Sequence, residues 1–486
     1  MTRLQRLLLK IIGLFGIAGL LLNVASSPGQ KAPQQVVGIN PNAGCPDTSL
    51  QNIDQIKRDS IVPLDRGING LPCDAQIEQK SKPGTSLTES LQRGFDYYSW
   101  LTFLALNSPK GSPIGKRDAL TEWETWKQLP DVMKPKGVRP SNWGSLPDVP
   151  DACSKKFQRG MMVIHMEIEE TYNEPFKSGP LFDQNGNYAL FVIFMNKEMF
   201  DFITSDDNKL YSVEGQERYG KPIDFPSGDS NGPGAVMVKA SWKIMTPKDD
   251  VSAYHTVPGL LYLPGAANEC REVKLGLIGF HVGHKTATRK QWIWTTFEHI
   301  KNVPTQDDVD NHKLSGPYNF YSVADTDKTH VNQVPAGPWG PLEMNPRWDP
   351  EHPGSFKSQI VRTGTFAPEF ADIKILNGIF QGFLTGTVWA NYELITTQWP
   401  SDSNCAKHDD FGTFPDSTCS PFPTFLANAT LETFSQSPPA SNGGIPLATS
   451  SCISCHNNAT THHVPATRSD FTYILEKAQR EHDLRK

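Results

Sequence analysis

An α+β fold, a large body with an antiparallel sheet and flanking helices, is what this 486-residue sequence predicts. Three observations carry the prediction. Ser86 to Asn107 places apolar residues at helical spacing, whereas from residue 157 the period shifts to the two-residue alternation of strands. Leu275–His284 and Gln291–Phe297 read as an antiparallel pair joined by a loop at 285–290. The 39 prolines and 38 glycines demand many turns and irregular connections, which excludes a helical bundle.

The chain opens with Arg3, Arg6 and Lys10, then the apolar run Ile11 to Leu22, then small residues at Val24-Ala25-Ser26. This is the pattern of a secretory signal peptide over residues 1–26. Its charge-free run is short for a membrane span, so no stable span is expected unless the segment stays uncleaved as an anchor. No cysteine lies near the cleavage site, which argues against a lipoprotein. Residues 27–84 are polar and read as an N-terminal arm, clipped by Cys45 and Cys73. Residues 85–400 form the α+β body, and 401–486 a C-terminal segment with its own character.

Within the body, Ser86 is the expected N-cap of the first helix and Pro109 its stop. Trp100, Phe103 and Leu104 make that helix apolar on more than one side, as a buried helix requires. Leu120 to Leu129 predicts a second helix, with Trp123 and Trp126 on one face. Strands are expected over Met161–Ile168, Tyr188–Met195 and Val236–Ile244, with a turn at Asp183–Asn187 and a short helix at Met199–Ile203. Residues 302–360 have loop composition and should wrap the surface or shape a site. Val388 to Gln398 reads as a strand, and Thr424 to Gln436 leads into a short helix. A linker-like turn at Ser437–Gly444 follows. A last helix, capped by Ser469 or Asp470, should turn Phe471, Ile474, Leu475 and Ala478 to one side.

Net charge is −6, with no basic patch, which excludes a nucleic-acid partner. The 37% hydrophobic content suffices for a substantial core. Six of the eight cysteines are Cys45, Cys73, Cys153, Cys270, Cys405 and Cys419, an even set that suggests disulfides in an oxidising compartment. Proximity pairs Cys45 with Cys73 and Cys405 with Cys419, leaving Cys153 for Cys270.

The other two cysteines lie in Ser451-Cys452-Ile453-Ser454-Cys455-His456, a C-x-x-C-H sequence. Composition alone predicts about 0.004 such matches in the chain, so coincidence is a poor explanation. The spacing is that of a covalent haem c: two thiols three residues apart add to the vinyl groups of one porphyrin, and His456 becomes the proximal iron ligand. A short redox disulfide or half a zinc site is the alternative. Attachment of this kind follows export, so the signal peptide and the motif support each other.

The second axial ligand is not evident. Only 30 residues follow His456, and none is methionine. His462 and His463 are local candidates, since six or seven extended residues span about 20 Å. His281, His284 and His299 are upstream candidates. His281 and His284, three apart on a strand, point to opposite faces, so at most one meets the haem. Met161, Met162 and Met166 are further candidates, and an open iron is the remaining alternative. As a separate metal site, the three upstream histidines lack the helical H-x-x-x-H spacing, and Glu298 faces away from His299. No G-x-S-x-G, Walker loop or dinucleotide fingerprint occurs.

Several stretches together resemble a known family. They are Phe95–Asn107, Trp123–Trp126, Gly179–Tyr188, Val238–Trp242, Gly279–Thr286, Trp292–His299, Leu426–Phe434, Ser451–His456 and Asp470–Leu475. As a set they are similar to exported bacterial proteins of about 500 residues known as cytochrome c family proteins. The resemblance spans residues 87–480. It implies one haem on Cys452, Cys455 and His456, and no particular reaction. Two functions are therefore expected to compete. One is electron transfer to a redox partner protein by a periplasmic or secreted monohaem cytochrome. The other is a peroxidase- or oxygenase-like haem enzyme with an open iron position. A structural or sensory role for the haem is a third.

Overall fold

The computed structural model describes residues 71–75, 87–109, 114–115 and 119–481, apart from 230–231, 265–267, 326, 328, 336–356, 364–370, 402–404, 406–420 and 437–450. The signal peptide, the Ser86 cap, most of the N-terminal arm and the Ser437–Gly444 turn lie outside the described residues.

The expected α+β architecture is present. Helix α1 (Leu87–Asn107) precedes strands β1 (Lys127–Gln128), β2 (Met162–His165) and β3 (Ala189–Met195). Helix α2 (Lys197–Thr204) leads to β4 (Val236–Ile244), β5 (Thr256–Leu263), β6 (Glu269–His284) and β7 (Ile293–His299). Helix α3 (Ala371–Phe383), β8 (Tyr392–Pro400), β9 (Pro421–Phe422) and the short helix α4 (Cys452–His456) complete the set used below. The nine strands form one sheet in the order β1-β3-β4-β6-β7-β8-β9, with β5 on the first half of β6 and β2 beyond it. Every pairing is antiparallel except β2 with β5.

Alternation gives the sheet two unlike faces. Leu190, Val192, Phe194, Val236, Val238, Ala240, Trp242, Phe280, Val282 and Phe297 turn to one side and join α1 and α3 in the main core. There Phe103 stacks on Phe297 at 4.2 Å, and Trp100 lies flat on Phe380 at 4.7 Å. Trp100 also donates to Asn377 Oδ1, which accepts the Leu394 N–H of β8. The other face carries Ser241, Lys239, His281, Thr296, Glu298 and Gln398 among apolar residues such as Phe191, Met195, Met237 and Trp294.

The expected helix at Leu120–Leu129 is replaced by a 3₁₀ turn at Trp123–Thr125, strand β1 and a short helix at Leu129–Val132. Tertiary contacts outweigh local propensity here. Trp123 drives its ring among Phe194, Trp242 and Phe280 and donates to Asn107 Oδ1, while Lys127 and Gln128 pair with Met195 and Phe194. Val388–Asn391 forms a 3₁₀ turn before the expected strand begins at Tyr392. The last expected helix is a 3₁₀ turn, Tyr473–Lys477, capped by Thr472. Its predicted inner residues Phe471, Ile474, Leu475 and Ala478 are all buried.

Cys153 and Cys270 form the expected disulfide. Cys73 and Cys405 are disulfide-bonded as well, and Cys45 and Cys419, expected as their partners, lie outside the described residues. Among the described residues no helix is long and apolar enough to cross a membrane.

Phe103, on α1, is fully buried against the sheet. Phe103→Ala is expected to lower stability by about 3–5 kcal/mol, read as a fall in the urea midpoint. Leu146→Ala, at an exposed site, should change it by less than about 0.5 kcal/mol. Equal effects would refute this placement of the core.

Candidate functional site around the C-x-x-C-H segment

Helix α4 is short, and its position is fixed by its neighbours. Ser451 caps it by accepting the Ser454 N–H. Ile453 is fully buried in a cluster with Trp292, Trp294, Met237 and Phe471. Gln398, buried on β8, accepts the Ile453 N–H at 2.8 Å and the Ser451 hydroxyl at 3.2 Å. Its own amide donates to the Pro423 carbonyl at 2.6 Å. Three-residue spacing on one helical turn then puts Cys452 and Cys455 on the same side.

The two thiols are unbridged, in contrast to the other described cysteines. Burial pushes the Cys452 thiol well above its ordinary value, and Glu432 adds to it. Cys455 is pushed up to about 12, again by burial first. Both side chains are nonetheless only partly covered, so neither is sealed in the core. A redox C-x-x-C needs the opposite, a thiol whose pKa is lowered. Among the described residues, no three His, Cys, Asp or Glu side chains gather in a metal-binding group.

His456 completes the arrangement. Its Nδ1 lies 2.8 Å from the Phe471 carbonyl. A carbonyl only accepts, so Nδ1 carries the hydrogen and Nε2 the lone pair. Burial lowers its pKa to about 4, keeping the ring neutral. Trp294 packs on the ring at 4.3 Å and Tyr473 at 5.3 Å, and the Tyr473 hydroxyl donates to the Cys455 carbonyl at 2.7 Å. Nε2 makes no hydrogen bond to a described residue. Unbridged, protonated thiols on one side of a helical turn, beside an imidazole with a free Nε2, fit the donor set of a covalent haem.

The Phe471 carbonyl is aimed by strained backbone. Asp470 and Phe471 both have left-handed φ, +54° and +62°. The Asp470 carboxylate accepts the Phe225 N–H at 2.7 Å and pairs with Lys285 Nζ, which also reaches Asp224 at 2.6 Å. Both Asp470 and Lys285 side chains are wholly buried.

The expected distal ligands are scattered. His281 shares the motif's face of the sheet. Its Nε2 meets both Glu432 oxygens at 2.8 and 2.9 Å, and its Nδ1 faces the Thr296 hydroxyl. His284 lies on the opposite face, as alternation requires, between the Tyr98 hydroxyl and the Pro233 carbonyl. His299 is buried against Tyr254 at 4.1 Å, with Nε2 on the Ala253 carbonyl and Nδ1 accepting the Lys301 N–H. Burial lowers His284 to about 4 and His299 to about 3. His462 is exposed, with Nδ1 at 2.6 Å from the Glu476 carbonyl. His463 is buried, with Nδ1 unpartnered. Met162 and Met166 sit in the main core beneath the other face, and Met161 packs beside the Cys153–Cys270 disulfide. The methionines that share a cluster with Ile453 are Met133, Met195, Met199 and Met237.

Sequence reasoning missed Gln398, Trp294, Glu432 and Lys239. Lys239 had a signal: a lysine in the middle of the apolar strand Val236–Ile244. Glu432 had none, because its partner His281 is 151 residues away. Burial works against the Glu432 carboxylate, but His281, Lys239 and the Asn428 N–H together hold it below its usual range. Behind it, Glu174 is raised from 4.5 to about 7, chiefly by burial, with Thr433 its hydrogen-bond donor.

No protein-family model, curated protein or solved structure matches this chain.

Glu174 titrates with a sign that can be checked. Its folded pKa is raised, so the folded state holds the proton where the unfolded chain has lost it. Stability of the wild type relative to Glu174→Gln should be greatest below pH 4.5 and fall by roughly 2–3 kcal/mol as pH rises to about 7. Denaturant midpoints of both proteins across this range measure it. A difference independent of pH would show that folding does not raise the pKa of Glu174.

Proposed function

We propose that the chain is an exported monohaem c-type cytochrome, acting in the periplasm, with residues 401–486 as its haem-bearing segment. Cys452 and Cys455 supply the thioether bonds and His456 the proximal nitrogen. The observation that carries this reading is the tautomer of His456: the Phe471 carbonyl takes Nδ1–H and leaves Nε2 as the free base. The unbridged thiols beside it support the same reading. Haem bound there supplies a one-electron ferrous–ferric couple. The chain's own residues anchor it, shield one side with Trp294 and Tyr473, and fix the proximal ring. Electron transfer to a redox partner protein is the function these features support best. The disulfide-bonded cysteines are compatible with an exported protein.

One observation favours a second reading, a haem enzyme with an open iron position. His281, the one expected distal histidine placed on the motif's face of the sheet, has both ring nitrogens engaged, and a charged wall stands beside it.

Visible absorption and EPR spectra of the purified exported protein test both. A covalent haem is expected, and its absence would end the proposal. A low-spin spectrum unchanged by cyanide or carbon monoxide supports the carrier, and a high-spin spectrum that shifts supports the enzyme. Cys452→Ala with Cys455→Ala should abolish covalent haem entirely. If that protein also fails to fold, the haem is a structural staple.

A further inference from the structure

Backbone strain is not evenly spread over the chain. Nine non-glycine residues among the described ones have left-handed φ. Lys136, Lys177, Lys209, Asn268, His312 and Asn332 are exposed or half-buried, at turns that tolerate the conformation. The other three, Trp292, Asp470 and Phe471, are buried. A bulky residue in this region is an outlier, and it persists only where its surroundings over-determine it. The three lie together. Trp292 and Phe471 share the cluster of Ile453, and Trp292 Nε1 donates to Asp470 Oδ1 at 3.5 Å.

Asp470 is where the surroundings converge. Its carboxylate takes the Phe225 N–H at 2.7 Å, the Trp292 indole N–H and Lys285 Nζ. Lys285 directly follows β6 and Trp292 directly precedes β7, so Asp470 ties the returning chain to the loop of that hairpin. The cation is itself anchored. The Lys285 N–H donates to the Ala235 carbonyl at 3.0 Å, and its carbonyl accepts the Gly228 N–H at 2.8 Å. Two residues past Trp292, the same hairpin supplies Trp294, which packs on the His456 ring. One residue past Asp470, the tied chain supplies the carbonyl that takes Nδ1–H of that ring. The indole and the carbonyl that set the ring are thus referred to one hairpin, and Asp470 is the tie. Anchoring the C-terminal chain would need the ion pair alone, without two successive left-handed residues.

We propose that Asp470 is a positioning residue for the proximal histidine: its carboxylate holds the left-handed turn that presents the Phe471 carbonyl to His456, and so sets how strongly the ring donates to iron. The consequence for iron rests on the haem reading above, whereas the placement of the ring does not. An imidazole that gives its inner N–H to a good acceptor is a more basic ligand. A more basic ligand favours ferric iron, so loosening the carbonyl should favour ferrous.

The full chain is compared with two variants. Asp470→Gly adopts left-handed φ without strain but has no carboxylate. Asp470→Asn keeps the shape, an acceptor oxygen and tolerance of that conformation, and removes only the ion pair. Phe103→Ala, on the other side of the sheet, controls for lost stability. Two quantities are read: solvent exchange of the His456 Nδ1 hydrogen, by NMR of protein with isotope-labelled histidine, and the reduction potential of the haem-bearing protein. In Asp470→Gly, exchange should be at least about tenfold faster, and the ferrous-to-ferric ratio at a fixed potential should rise about threefold, roughly 30 mV for one electron. Asp470→Asn should change less, with the same sign, and Phe103→Ala should leave both quantities unchanged. A folded Asp470→Gly protein with exchange unaltered, or an equal change in Phe103→Ala, overturns the proposal. Faster exchange with an unmoved potential upholds the placement of the ring and overturns its effect on iron. If Asp470→Gly fails to fold, Asp470→Asn decides: a change of the expected sign supports the proposal and none overturns it. Wild type lacking covalent haem ends the haem reading, and the exchange measurement still decides the positioning.

Discussion

A charge that leaves water must be met by a partner, and this constraint organises the second face of the sheet. Glu298 on β7 is fully buried and takes a bidentate pair from Arg362 at 2.7 and 2.9 Å, plus the Ala429 N–H at 2.7 Å. Ser241 on β4 bonds the Thr430 hydroxyl, and His281 bonds Glu432. Each partner comes from far along the chain. Together they lay residues 426–435 across the strands. Gly279 shows how closely: a Cβ there would come within 2.3 Å of Thr430 and 2.4 Å of Ser241. A purely apolar face would bury well but would not select one segment or one register. Here the charges select both, and Glu432 arrives beside the C-x-x-C-H turn as a result.

The turn itself is held from three sides by different forces. Ile453 supplies hydrophobic burial, Gln398 supplies hydrogen bonds from the neighbouring strand, and the Lys285–Asp470 pair fixes the returning chain. The last is the most demanding. A left-handed phenylalanine costs about 1–3 kcal/mol and persists only where surroundings over-determine it. At Phe471 that strain turns a carbonyl onto His456 and thereby decides which nitrogen bears the lone pair. A buried ion pair one residue back along the chain thus helps to decide which nitrogen of His456 bears the lone pair.

Much of the fold was legible in the sequence because alternation and turn residues report burial directly. Ala189–Met195, Val236–Ile244 and the hairpin from His284 to Ile293 follow from that pattern alone, as does the Asp183 turn, whose carboxylate takes the Asn185 and Asn187 N–H groups at 2.9 Å. The three motif residues stand out for a different reason, that their spacing is chemically specific, and the structure places them on one short helix. What stayed hidden depends on distant partners. Trp123 breaks a helical pattern because Asn107 and three aromatic rings await it. The parallel pairing of β2 with β5 has no local signature. Glu432 reads as one more loop carboxylate until His281 is found opposite it.

His456 and His281 show how the same side chain is prepared for opposite tasks. A ligand histidine gives its inner nitrogen to a protein acceptor and keeps the outer one free. His456 does this, with Nδ1 on the Phe471 carbonyl. In His281 the inner Nδ1 faces Thr296 on the adjacent strand, and the outer Nε2 is covered by a carboxylate. To reach an iron it would have to give up a charge-assisted hydrogen bond worth about 1.5–3 kcal/mol. The bond to Glu432 instead fixes the His281 ring to the segment that crosses the sheet. The two rings thus differ in the partner the fold supplies: a backbone carbonyl that leaves Nε2 of His456 open, and a carboxylate that covers Nε2 of His281.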